Sequence, residues 1–170
     1  MICLLVILIA AVVMDVKSYK IRNSLILFGL ILGLIFLMTD FNKSNLLFYL
    51  GGAILPILLL FPLFILKALG AGDIKLFAVI GFFCGYNIIL KVMLYSLFVG
   101  GFMSIIQLFR SKNFYESLIY FIKFIRYQLK SPSKIITYSN IKREGYLGVI
   151  HYSIAILIAY LIILWRGFII

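Results

Sequence analysis

Carboxylates are scarce in this chain. Five acidic residues stand among 170, against sixteen lysines and arginines, for a net charge of +11. Each acidic residue can therefore be judged singly. Cysteine is scarcer still: Cys3 and Cys84 both fall within apolar runs, with no CxxC pair and no metal-ligand spacing. That excludes a disulfide framework and a cysteine metal site, and both residues are expected in the core. No basic stretch precedes the first apolar run and no small-residue cleavage site follows it, so a retained helix is expected there rather than a signal peptide. Internal repeats and low-complexity linkers are also missing, which leaves residues 1–170 as one domain. A folded basic domain is missing too, so the excess positive charge does not imply nucleic-acid binding.

What the chain has in abundance is apolar length. Hydrophobic residues make up 65% of it, and the mean hydropathy is +1.22. Soluble domains run at about 45–50% apolar, and several runs here approach the roughly 18–20 residues that cross a bilayer. The expected fold is an all-α polytopic membrane protein. Six transmembrane helices are expected, at about residues 1–16, 22–39, 46–66, 69–87, 88–109 and 147–166, with Gly85-Tyr86-Asn87 dividing the fourth from the fifth. Pro56 and Pro62 should bend the third, which membrane bundles tolerate. Gly51-Gly52 and Gly100-Gly101 offer either close helix contacts or ordinary packing.

The basic residues encode orientation. Thirteen fall on one side of this topology, including Lys17, Lys20, Arg22, Lys67, Lys75 and the loop from Arg110 to Arg143; three, Lys43, Lys91 and Arg166, fall on the other. Positive charge stays cytoplasmic, which puts the N-terminus outside, and it can also contact anionic lipid headgroups. Within the long loop, about residues 113–130, Glu116, Lys123, Arg126 and Lys130 share one helical face opposite Phe114, Leu118, Phe121, Ile122, Ile125 and Leu129. An amphipathic helix lying on the cytoplasmic surface is expected, ended by Ser131-Pro132-Ser133.

Asp40, Glu116 and Glu144 lie in polar surroundings and are expected to be solvated. Asp15 closes the first apolar run and Asp73 opens the fourth, which places both at the cytoplasmic membrane boundary. A carboxylate is expensive to keep there, so each is a candidate functional residue. Two carboxylates brought together cannot both ionise comfortably: one holds a proton while the other stays charged. Such a pair can take a proton from an attacking water and donate one to a leaving amine. Ahead of Asp73, Gly70 and Gly72 let another chain approach closely. The plainer reading of this stretch is a turn with Asp73 as helix N-cap. The lone histidine, His151, is expected to be a hydrogen-bonded or interfacial residue at a helix end, with substrate contact as the rarer alternative. Lys75 reads either as catalytic support or as a snorkelling boundary lysine.

The stretch Gly70-Ala71-Gly72-Asp73-Ile74-Lys75 resembles the GxGDxK signature of the type IV prepilin peptidases, which are intramembrane aspartyl proteases. The stretch from Asp15 to Asn23 is similar to that family's other motif, an aspartate followed after several residues by Ile-Pro-Asn. Here Ile21-Arg22-Asn23 carries arginine in place of the proline. The resemblance implies that Asp15 and Asp73 are the catalytic aspartates and that Gly70 and Gly72 are motif glycines allowing backbone approach; Lys75 and Asn23 are candidates for supporting residues. It implies cleavage of the leader of pilin-like precursors at the cytoplasmic face of a prokaryotic plasma membrane, without metal or other cofactor. Bifunctional members carry an insertion with paired cysteines and methylate the new N-terminus. This chain resembles the short type without that insertion, associated with Flp-type and competence pili, so no methyltransferase activity is expected. The rival reading is a small proton- or cation-coupled transporter using the same two carboxylates. Transporters more often place coupling sites near the bilayer midplane, between repeats.

Overall fold

The computed structural model describes residues 2–39, 43–65, 69–110 and 151–169. These form five helices: α1 (Ile2–Ser18), α2 (Asn23–Thr39), α3 (Lys43–Ile65), α4 (Ala71–Arg110) and α5 (Tyr152–Ile169), with no strand among the described residues. The long apolar runs leave few alternatives, since in a lipid solvent every backbone N–H and C=O must be paired within its own segment. The amphipathic helix expected at about 113–130 lies outside the described residues.

α4 contains two expected spans in one element. At Gly85 the backbone leaves helical geometry, with φ 77° and ψ 174°, a conformation essentially open to glycine alone. The break divides α4 into arms of residues 71–84 and 86–110. Tyr152 shows how the arms lie. Its ring centroid is 6.3 Å from that of Phe77 in the first arm, and its hydroxyl donates to Ser96 Oγ in the second at 3.3 Å. Along an unbroken helix Phe77 and Ser96 would be about 28 Å apart. One tyrosine cannot bridge that distance, so the arms fold back side by side. The division expected at residues 85–87 therefore appears as this break, produced by a glycine whose missing side chain leaves room for Phe48 of α3.

The first arm is the centre of the bundle. Leu76, Phe77, Val79 and Ile80 are buried there, against Leu4, Leu8 and Ala11 of α1 and Ile156, Ala159 and Tyr160 of α5. α3 crosses the arm at Gly52 and Gly81, where each glycine's α-carbon faces the other's backbone carbonyl. Their neighbours in the two glycine pairs divide: Gly100 lies under the Tyr152 ring, while Gly51 and Gly101 face open space. α2 runs alongside the arm in the same direction, with Gly29 against Val79 and Gly33 against Phe82.

Cys84 is buried, as expected, but Cys3 is exposed. The inward stripe of α1 is Leu4, Ile7, Leu8 and Ala11, and Cys3 sits one position off it. The outer surface is as apolar as the core, with Leu27 and Phe28 on α2, Leu58 on α3, and Phe98 and Phe102 on the second arm all exposed. Soluble monomers rarely show such a continuous apolar rim. Among the described residues, Leu46–Ile65 and Ala71–Gln107 are long and apolar enough to cross a membrane, with hydropathies of 2.3 and 2.0. Two shorter apolar helices accompany them, Asn23–Met38 and Tyr152–Trp165.

Candidate active site

Among the described residues, Asp15, Asn23, Asp73, Lys75, His151 and Ser153 gather at one end of the bundle. α1 arrives there, and α2, α4 and α5 begin there. Helix N-termini carry free N–H groups and the positive end of the backbone dipole, so they favour nearby negative charge.

Asp73 is the third residue of α4, which begins at Ala71. It is therefore not the N-cap. Gly70 occupies that position: its carbonyl accepts from the Asp73 N–H at 3.2 Å and the Ile74 N–H at 3.3 Å. The Gly70 backbone N–H in turn donates to the Asp73 carboxylate, so the side chain reaches back over the first turn as in a capping box. The glycines differ in their roles. A Cβ on Gly70 would lie 3.0 Å from Asp73 Oδ2, so the missing side chain makes room for the carboxylate itself. A Cβ on Gly72 would lie 3.3 Å from Cβ of Ile21, so this glycine admits the α1–α2 connection.

Asp15 lies in the last turn of α1. Its backbone carbonyl accepts from Tyr19 N–H at 2.8 Å, and Tyr19 then ends the helix with φ at 54°. That left-handed conformation is uncommon for a residue with a side chain. It lets the Tyr19 ring stack on His151, centroids 4.9 Å apart. Two side chains from the start of α5 meet Asp15. Ser153 Oγ donates to Asp15 Oδ2 at 2.6 Å, and His151 Nδ1 lies 3.7 Å from the same oxygen, beyond hydrogen-bonding distance. The Asp15 side chain is 14% exposed and that of His151 21%, so water can reach both.

The two aspartates belong to one electrostatic site, because the Asp15 charge acts on the Asp73 carboxyl. Lys75 and Asn23 also meet: Lys75 Nζ donates to Asn23 Oδ1 at 2.9 Å. Both border an open, apolar groove of about 420 Å³ between α2, α3 and the first arm, with Ile26, Leu27, Leu30 and Ile57 along its walls. Asp15, Asp73, Gly70, Gly72, Asn23 and Lys75 thus collect at one end of the bundle, and His151 stands beside Asp15. Sequence reasoning missed Ser153. The available signal was weak: a serine two residues beyond the histidine in a largely apolar helix, whose hydroxyl has to find a partner if buried. Among the described residues, no group of three or more His, Cys, Asp and Glu side chains is arranged to hold a metal ion.

A family model for the type IV leader peptidase family matches residues 2–105. The match takes in both aspartates and both glycines and stops before α5. No curated protein and no solved structure matches the chain.

Proposed function

Because the chain belongs to the type IV leader peptidase family, we propose that it is an intramembrane aspartyl endopeptidase that removes the leader of pilin-like precursors, using Asp15 and Asp73 to activate water. The observation that supports this reading is the placement of Asp15 at the end of α1 and Asp73 at the start of α4, at the same end of the bundle.

The chemistry follows from one proton shared between two acids. The ionised carboxylate takes a proton from water as the water oxygen bonds to the scissile carbonyl carbon. The protonated carboxylic acid hydrogen-bonds the carbonyl oxygen as it gains negative charge. Collapse of the tetrahedral intermediate breaks the C–N bond, a proton passes to the leaving amine, and the pair is left ready for another water. Gly70 leaves room for the Asp73 carboxylate over the first turn of α4, and Gly72 lets the α1–α2 connection pack against that turn.

The thirteen-to-three distribution of basic residues supports a cytoplasmic active site with the N-terminus outside. In that orientation the substrate is cut at the cytoplasmic face of a prokaryotic plasma membrane, next to its own apolar helix. The reaction itself calls for neither metal nor cofactor, and neither of the sequence's cysteines belongs to a paired-cysteine insertion of the bifunctional type.

The test is cleavage of a co-expressed pilin-like precursor in membranes by the native chain, Asp15→Asn and Asp73→Asn. Asparagine keeps size and polarity but cannot exchange the proton. Shortening of the precursor by the native chain alone, with both variants folded and inactive, is the expected result. Continued cleavage by either variant would sink the dyad. Coupled ion transport by the purified protein, with no cleavage of any precursor in a broad panel, would instead favour a transporter.

A further inference from the structure

The family match ends at residue 105, yet one carboxylate of the site is held from beyond it. Ser153 is fully buried and spends its hydroxyl proton on Asp15 Oδ2 at 2.6 Å. That separation falls in the roughly 2.5–2.7 Å range of O–H···O⁻ bonds, shorter than neutral hydroxyl pairs. A fully buried hydroxyl needs such a partner, because an unpaired one is costly. The same oxygen is closed off on another side by His151, whose Nδ1 is buried without a hydrogen-bond partner and whose ring is held by the stack on Tyr19. Ser153 of α5 and His151, just before it, therefore both approach Oδ2.

We propose that Ser153 is a positioning residue for Asp15: its hydroxyl holds Oδ2 and fixes the carboxylate rotamer, leaving Oδ1 as the oxygen presented to water. This rests on the peptidase reading above. The lone pair of Oδ2 that accepts from the hydroxyl is not free to carry the shared proton, which favours Oδ1 for proton exchange with water. α5 becomes part of the catalytic end of the bundle through this contact, although it contributes no reacting group. The Tyr19–His151 stack keeps the start of α5 against the end of α1, so that the serine hydroxyl stays on line with the carboxylate.

The experiment measures kcat and KM for precursor cleavage by purified, monodisperse enzyme in detergent. It compares the native chain with Ser153→Ala, Ser153→Thr and Asp15→Asn, and follows thermal unfolding of each. Removing the hydroxyl should lower kcat roughly 10- to 100-fold, the scale of a reacting group displaced by about an ångström, while KM stays within about twofold. Ser153→Thr, which retains the hydroxyl, should recover most of the loss. Native kcat in Ser153→Ala with an inactive Asp15→Asn would overturn the positioning role and leave the dyad standing. Activity in both Ser153 variants that merely tracks the folded fraction would assign the serine to packing and also overturn it. An active Asp15→Asn would remove the peptidase mechanism and this inference together.

Discussion

Gly51 and Gly52 provide a matched pair for testing how α3 is seated on the helix that carries Asp73. They are adjacent in α3, so alanine at either gains the same helix propensity, about 1 kcal/mol. Their surroundings are opposite. A Cβ on Gly51 meets nothing within 4 Å, while one on Gly52 runs into the Gly81 carbonyl oxygen and lies 2.8 Å from the Gly85 carbonyl carbon. Those are backbone atoms of α4, which cannot rotate away, so relief requires the helices to separate. Overpacking of this kind costs roughly 1–3 kcal/mol. Because propensity cancels between the two variants, that cost is the expected difference between Gly51→Ala and Gly52→Ala. Unfolding of the purified protein by graded SDS in mixed micelles, followed by circular dichroism, measures it. Gly52→Ala should also lose cleavage activity, since the displaced arm begins two residues before Asp73. Equal stabilities for the two variants would refute the close α3–α4 crossing and the placement of Asp73 that depends on it.

Gly85→Ala should be more damaging than Gly52→Ala, because it combines a glycine-only backbone conformation, about 1–3 kcal/mol, with a Cβ driven into the Phe48 ring; a melting temperature equal to that of the native chain would argue against the folded-back arms. Gly70→Ala should leave the melting temperature nearly unchanged yet reduce kcat about tenfold or more, since its Cβ would sit 3.0 Å from Asp73 Oδ2 and push the carboxylate aside. Gly72→Ala, which presses on Ile21 instead, should cost less activity, and the reverse order in a cleavage assay would contradict the assigned roles. For Lys75 and Asn23, a double-mutant cycle with Lys75→Met and Asn23→Ala should give a coupling of about 0.5–1.5 kcal/mol in unfolding free energy; strictly additive losses would show that the 2.9 Å bond contributes nothing.

The composition and the order of apolar runs were sufficient to specify a helical membrane protein, because a bilayer core accepts few other ways of pairing a backbone. Asp15 and Asp73 stood out in the sequence as candidates, because a carboxylate at an apolar boundary is costly to keep, and the glycines beside Asp73 mark a place of close packing. Gly85 was readable as a division, but the direction taken after it was not. Only Tyr152, touching Phe77 and Ser96 together, shows that the arms return side by side. Cys3 failed as a core residue because hydropathy reports preference for an apolar solvent and cannot separate lipid from protein interior. The distinct jobs of Gly70 and Gly72 were hidden for a similar reason, since they depend on which atoms stand opposite each α-carbon. The partner of Ser153 was not legible until α5 was laid against α1. Its hydrogen bond joins residues 138 positions apart in the chain, and no local pattern records a partner that folding alone brings within 2.6 Å.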